Sequence, residues 1–586
     1  MNTPRMTRRR LALALIAMIA VFGVFVVRLV DIQLVRAEEL NTQSLNKRAI
    51  AVTTYAARGD IVDRDGAVLA GSVMRFDITV SPKTMPKNPA SFTRGSGDDK
   101  VTVSLAEAAA EIAEITGQTQ NEVLDVFTED PESDFEYVAQ KVSTEQMRAV
   151  RDLGIPAIYF EQRPARIYPD GSVAGNLVGF VGTEGPQNGF EFTENECLAS
   201  TNGSSTYERG ADGIRLPGST VTEQEPIDGG TITTTIDHDL QWTVQQMIAE
   251  QALALGAESA TASVTEVKTG HLLALADYPS VDPNNVGGSS PNNMGSLAFS
   301  TPYEPGSTFK PMTAAMLLDQ GVADPSTEVT VPYRWISPEG SAIRDAVFHP
   351  ELQLTLAGVI QQSSNVGISQ LAVRLPSKMR YDYFRAFGIG ERTEVGFQGE
   401  SAGLLSSSWD DQTKYNVSFG QGVSVTGAQM ASIYQTLGNG GLRLPLTLVT
   451  GCRHADGSIT DAAPTEGRQV VSEAAADSVV EMMETVVTGG GLASELQIPG
   501  YRVAAKSGTA EIAADGRYTD DRIVSVAGLA PAEDPQYAVI VTFVKPSTIM
   551  TSAAAAPTFK KIMTQVLKTY RVAPSPTLSP DLPTTW

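Results

Sequence analysis

The chain has 586 residues, 42% of them hydrophobic and 19% charged, the balance of a folded protein of more than one domain. A formal net charge of −23 argues against a nucleic-acid partner, because a phosphate backbone repels an acidic surface. Four histidines, scattered and without an HExxH pattern, leave little from which to build a zinc protease or a Ser-His-Asp triad.

Arg5, Arg8, Arg9 and Arg10 precede an uncharged run from Leu11 to Val27. Extended by Leu29 and Val30, this run is about 26–30 Å long as a helix, enough for a bilayer core. Arginines ahead of the span predict a cytoplasmic N-terminus and an exported remainder. A cleaved signal peptide would end in small residues, and Val35-Arg36-Ala37 is a poor match, so an uncleaved anchor is expected. Two cysteines, Cys197 and Cys452, could form one disulfide in an exported protein or stand as two separate thiols.

Beyond the anchor, Ala51–Tyr55 and Phe76–Val80 read as strands, and Leu105–Ile115 as a helix closed by Gly117. Ser91–Lys100 and Ala199–Ser205 read as surface loops. A second region opens near Gly229-Gly230, with a strand over Thr231–Ile236, a helix over about 240–255 and a strand near 262–266. Further strands are expected near Tyr501–Ala510 and Tyr537–Phe543, giving an α/β (α+β) unit with an antiparallel sheet. Ala573–Trp586 holds four prolines and reads as an extended tail.

Three short motifs could carry chemistry. Ser307-Thr308-Phe309-Lys310 follows Glu304-Pro305-Gly306, and a helix starting here puts Lys310 one turn from Ser307 on the same face. Pro311 fits a first helical turn, which needs no N–H donors. A neutral lysine beside a hydroxyl can take its proton, which requires burial or a neighbouring cation such as Lys506. Ser363-Ser364-Asn365 lies in a stretch that reads as helix, turn and helix, where Ser363 can relay a proton and Asn365 can hold an amide. Lys506-Ser507-Gly508-Thr509 ends an apolar strand; its charge and hydroxyls suit a carboxylate, and Gly508 lets a backbone N–H approach an oxyanion. Singly these patterns are weak: Ser44-Leu45-Asn46-Lys47 also satisfies SxxK, and Lys268-Thr269-Gly270 satisfies KTG. Their order, serine first and K[ST]G last on a strand, lifts the set.

In that order the sequence resembles the class B penicillin-binding proteins, for which the three motifs are diagnostic. The likeness covers nearly the whole exported chain. Arg58-Gly59-Asp60-Ile61-Val62-Asp63-Arg64-Asp65-Gly66 is similar to the signature opening the family's non-catalytic domain. Arg166-Ile167-Tyr168-Pro169, Gly179-Phe180-Val181-Gly182 and Gly189-Phe190-Glu191 match its later motifs. Asp282-Pro283-Asn284, Phe419-Gly420-Gln421-Gly422, Asn439-Gly440-Gly441 and Gly528-Leu529-Ala530-Pro531 stand where the catalytic domain carries similar runs. Taken one by one, Gly59, Gly66 and Gly422 would be turn glycines, and Arg58 and Asp63 an ordinary surface pair. Ser364 stands where several relatives carry aspartate, and Ser507 where threonine is usual; both keep the reactive groups.

The resemblance implies a serine transpeptidase domain over 229–570, preceded by an elongated mixed α/β pedestal over 36–228. A cytoplasmic tail over 1–10, an anchor over 11–30 and a Pro-rich tail over 571–586 complete the expected plan. It implies catalytic Ser307, Lys310, Ser363, Asn365 and Lys506, with Ser507, Gly508 and Thr509 binding substrate. The backbone N–H groups of Ser307 and Thr509 would form the oxyanion hole, with no metal and no organic cofactor. Expected partners are peptidoglycan stem peptides, β-lactams, the cytoplasmic membrane and a polytopic glycosyltransferase with other division proteins, since the N-terminal region looks more like the division type than the elongation type. The rivals are an elongation-type transpeptidase, an idle β-lactam-binding scaffold or sensor, and a class D-like β-lactamase. That last class usually has valine in place of Asn365.

Overall fold

The computed structural model describes residues 4–95, 100–208, 216–461, 466–514 and 517–586. The chain divides into two compact units: one of Met1–Ala57, Arg75–Pro164 and Ser200–Asp228, the other of Arg58–Met74, Ala165–Ala199 and Gly229–Trp586. The first unit begins with an α-helix over Pro4–Val30. Arg8–Val35 is, among the described residues, the one stretch long and apolar enough to cross a membrane, and none of it is buried. The side chains of Ser44-Leu45-Asn46-Lys47 lie outside the described residues.

Three helices of this unit, Leu105–Thr116, Gln120–Thr128 and Thr144–Asp152, each open on a reciprocal cap. Ser104 with Glu107, Thr119 with Glu122 and Ser143 with Gln146 satisfy first-turn N–H groups that have no helical partner. Gly117 closes the first of them in the left-handed conformation at φ 79°. Their apolar faces, including Ile112, Val123 and Phe127, meet Ile78 and Val80. Phe76–Val80 belongs to the strand Val68–Val80 and pairs antiparallel with Glu136–Val142. Two segments expected as loops contain strands instead. Ser91–Arg94 pairs with Val101–Ser104, and Gly203–Glu208 pairs with Ala49–Thr54. Backbone pairing satisfies these polar stretches where their side chains give no alternation to read.

The second unit is built on a five-stranded antiparallel sheet. In chain order its elements are α1 (His238–Leu255), β1 (Ser259–Glu266), β2 (Leu272–Tyr278), α2 (Lys310–Asp319), α3 (Leu356–Gln362), α4 (Asn365–Ala372), α5 (Gly427–Gly438), α6 (Glu473–Gly489), β3 (Ala504–Ala514), β4 (Arg517–Ala530), β5 (Tyr537–Val544) and α7 (Ala556–Thr569). The sheet order is β2-β1-β5-β4-β3, so the strand bearing Lys506 is an edge. Strands β2 and β4 escape sequence reading because continuous apolar runs, such as Ile523 to Ala530, do not alternate. Helices cover both faces. A Cβ on Gly528 would press on Phe559 of α7 at 2.7 Å, while one on Gly438 of α5 would press on the adjacent Leu529 at 2.8 Å. Neighbouring residues of a strand point to opposite sides, so α7 and α5 lie on different faces. Leu240, Val244, Ile248, Ala252 and Leu255 form the buried stripe of α1 at helical spacing.

Arg58 and Asp63 are not a surface pair. Asp63 is 3% exposed and accepts hydrogen bonds from the backbone of Asp65, Ala67 and His238. Gly59 is a close-approach glycine rather than a turn glycine, because a Cβ there would overlap the Gly230 carbonyl oxygen. Cys197 and Cys452 form a disulfide across 255 residues of sequence. Closing so long a loop restricts the unfolded chain, so Cys197→Ser/Cys452→Ser should destabilise this unit by about 2–4 kcal/mol. Urea midpoints with and without reductant will read it; a midpoint unmoved by either the mutations or reductant would count against the cross-link.

Candidate active site

The Ser307 turn is set by glycines and by the edge strand. Gly306–Phe309 is a tight 3-10 turn that runs into α2, so regular α-helix starts at Lys310 rather than at Ser307. Gly306 adopts φ +57°, and its N–H donates to the Gly420 carbonyl at 3.0 Å. A Cβ there would crowd the Thr509 carbonyl oxygen and Ala510 at 3.2 Å each. The Thr308 hydroxyl donates to the Pro305 carbonyl at 2.8 Å, and Tyr434 donates to the Thr308 carbonyl at 2.9 Å. These bonds fix a turn on which Ser307 stays half-exposed while Lys310 is fully buried.

Ser363 ends α3 in the left-handed conformation at φ 60°, a costly geometry for a non-glycine residue. That bend aims both its oxygens at lysines. Lys310 Nζ lies 2.6 Å from the Ser363 carbonyl oxygen, 2.8 Å from Asn365 Oδ1, 2.8 Å from Ser307 Oγ and 3.2 Å from Ser363 Oγ. The carbonyl and the amide oxygen only accept, so when the amine is neutral they can take its two hydrogens and leave its lone pair for the Ser307 hydroxyl proton. Lys506 Nζ donates to Ser363 Oγ at 2.9 Å and to the Ser507 carbonyl at 3.0 Å. Burial, reinforced by the Lys506 charge, pulls Lys310 well below the ordinary lysine range. Burial brings Lys506 down to about 7.

The edge strand β3 brings the third motif alongside. A Cβ on Gly508 would meet Ser525 Oγ at 2.7 Å and Thr308 Cγ2 at 2.9 Å, so only glycine permits this approach to the Ser307 turn. Ser507 is half-buried and Thr509 is exposed, with its hydroxyl accepting from the Ser552 N–H at 3.2 Å. All eight residues singled out from the sequence for the site therefore come from three neighbouring segments of one unit: the 3-10 turn into α2, the α3–α4 junction and β3. The decoy Lys268-Thr269-Gly270 forms the turn between β1 and β2. There Thr269 bonds Glu266 at 2.6 Å and Lys268 is 56% exposed.

Two neighbours have no motif to reveal them. Glu304 accepts from the Gly422 N–H at 2.8 Å and from Tyr518 at 3.1 Å, tying the Phe419–Gly422 run and β4 to the Ser307 turn. Asp345 accepts from the Val366 N–H at 2.9 Å and from the Ser364 hydroxyl at 2.7 Å, and faces His349 Nε2 at 2.9 Å. Its only sequence signal is a lone acid some twenty residues ahead of Ser364, which is no signal without the fold.

The penicillin-binding protein transpeptidase domain family matches residues 260–564, which hold all three motifs, and the penicillin-binding protein dimerisation domain family matches residues 53–234. The chain belongs to the penicillin-binding protein transpeptidase family. The penicillin-binding protein PbpB of Mycolicibacterium smegmatis is 33% identical over 97% of this chain and 91% of its own length. The peptidoglycan D,D-transpeptidase FtsI of Escherichia coli is 32% identical over 88% and 84%. Penicillin binding protein 3 of Mycobacterium tuberculosis, solved with aztreonam, superposes with a TM-score of 0.69 at 27% identity, covering 91% of this chain and 100% of that one. In this penicillin-binding protein the middle residue of SxN is Ser364. Its hydroxyl can donate to the Asp345 carboxylate, where a second carboxylate would repel it.

Proposed function

We propose that this penicillin-binding protein is a peptidoglycan D,D-transpeptidase acting through an acyl-enzyme on Ser307. The observation that carries the reading is the Lys310 amine, buried beside Ser307 Oγ with two acceptor-only oxygens taking its hydrogens. Ser307 Oγ attacks the carbonyl carbon of the penultimate D-alanine of a stem peptide, and Lys310 Nζ takes the hydroxyl proton. The backbone N–H groups of Ser307 and Thr509 stabilise the oxyanion. As the C–N bond breaks, Ser363 passes a proton to the departing D-alanine amine. Ser363 can do so because its hydroxyl lies between Lys310 and Lys506. Asn365 holds a substrate amide, and Lys506, Ser507 and Thr509 hold the terminal carboxylate. An amine of a neighbouring stem then attacks the ester, cross-linking the two and restoring the Ser307 hydroxyl. A β-lactam acylates the same oxygen.

Purified full-length protein with a pentapeptide stem and a primary-amine acceptor should release D-alanine and form the amide-linked product. Free acid with no amide product, at saturating acceptor, would make it a carboxypeptidase. The proposed plan is a cytoplasmic tail over 1–10, an uncleaved anchor over 11–30, a pedestal over 36–228, a catalytic domain over 229–570 and a Pro-rich tail over 571–586, with everything past the anchor outside the membrane. Relatives named PbpB and FtsI favour a septal role, with a polytopic glycosyltransferase and other division proteins contacting anchor and pedestal. A fluorescent fusion spread along the side wall and missing from the septum would sink the septal role.

A further inference from the structure

The extended C-terminal tail crosses two motif-bearing elements in turn. The Val572 carbonyl accepts from the Tyr501 hydroxyl at 2.7 Å, and the Ser575 N–H donates to the Gly500 carbonyl at 2.9 Å. Arg502, just before β3, donates its backbone N–H to Ser575 Oγ at 2.8 Å and its guanidinium to Thr577 Oγ1 at 3.1 Å. The same guanidinium meets Glu484 of α6 at 2.6 Å, and Ser579 donates to that fully buried carboxylate at 2.5 Å. The tail then reaches the start of α3. The N-cap Thr355 gives its hydroxyl to the Pro583 carbonyl at 2.6 Å and its N–H to the Thr584 carbonyl at 3.2 Å, while Leu354 and Thr585 form an antiparallel bridge. A Cβ on Gly358 would overlap the Thr584 carbonyl oxygen.

We propose that residues 573–586 are a strap that joins the base of the Lys506 strand to the base of the Ser363 helix and so positions both groups for acylation. The strap is bound at the head of α3, whose other end is the strained Ser363, and at Arg502, four positions before Lys506. Pro574, Pro576, Pro580 and Pro583 restrict the free chain, so an extended segment docks with little entropy to lose. Leu578 is 92% exposed while Leu582 packs against the core, so the docking combines backbone and hydroxyl bonds with one apolar contact. The proposal rests on the reading of Ser307 above.

The test compares three full chains in detergent: wild type, Gly358→Ala, and a chain stopped after Val572. Alanine favours a helix over glycine, so a loss in Gly358→Ala reports the displaced strap rather than a weakened α3. The readouts are the second-order acylation constant with a fluorescent penicillin and hydrogen exchange over residues 356–365 and 503–509. Misplacing catalytic groups by about 1 Å is costly, so both variants should acylate roughly tenfold or more slowly, with faster exchange in both segments. A synthetic 573–586 peptide should restore the stopped chain but not Gly358→Ala. Should the stopped chain fail to fold, Gly358→Ala carries the test by itself. Unchanged acylation and exchange, even with a lower melting temperature, would overturn the strap. Acylation of wild type, read alone, tests the Ser307 assignment separately, and the exchange data judge the strap even if that assignment fails.

Discussion

Lys310→Ala is expected to slow acylation of Ser307 by roughly 10²–10⁴-fold, the usual worth of a positioned general base. Lys310→Arg should not rescue it, because a guanidinium stays protonated and has no lone pair to offer. In wild type the rate should rise with pH as the coupled lysines shed one proton. Burial lowers Lys310, and the Lys506 charge lowers it further, so that rise belongs well below the pH at which a free lysine would give it. The sign follows from the role: the base acts only when deprotonated, so acid silences it. Stopped-flow acylation from pH 5.5 to 9 will read this, and in Lys310→Ala the rising limb should vanish. An Ala variant within a few-fold of wild type would remove Lys310 from the mechanism.

The second large effect is structural. Glu191 is fully buried and receives Arg58 Nε at 2.6 Å, Arg166 Nε at 2.5 Å and the Tyr168 hydroxyl at 3.2 Å. Arg166 also donates to the Gly59 carbonyl at 2.6 Å, and Arg58 to Asn195 at 2.7 Å. Glu191→Ala would strand two guanidinium groups in a poorly solvated place, which costs about 3–5 kcal/mol. All four tryptophans, Trp242, Trp335, Trp409 and Trp586, lie in this same unit, so urea unfolding followed by tryptophan fluorescence reports on it. A loss below about 1 kcal/mol would mean that the cluster relaxes or hydrates when opened.

The same cluster marks what a sequence can and cannot disclose. The motifs named Arg58, Arg166 and Glu191 separately, but nothing in their spacing says that they converge on one buried carboxylate. The three motifs proposed to carry the chemistry stand out in the sequence because each is local: a turn, a helix junction or a strand end. Their supports were not. Asp345 and Glu304 act across long sequence separations, and a single acid carries no pattern. Strands Ser91–Arg94 and Gly203–Glu208 were hidden by polar composition, and β4 by an apolar run without alternation. The Pro-rich tail reads as extended from its prolines, yet composition could not show that its carbonyls bond the N-cap Thr355 of α3.

The claim on which the rest depends is that Ser307 is the acylated nucleophile. Intact-mass spectrometry of residues 36–586 with and without benzylpenicillin, beside Ser307→Ala, tests it most directly. Wild type should carry one stable adduct of the antibiotic's full mass and the variant none. An adduct that persists in Ser307→Ala, or a folded wild type that neither acylates nor hydrolyses the drug, would contradict it.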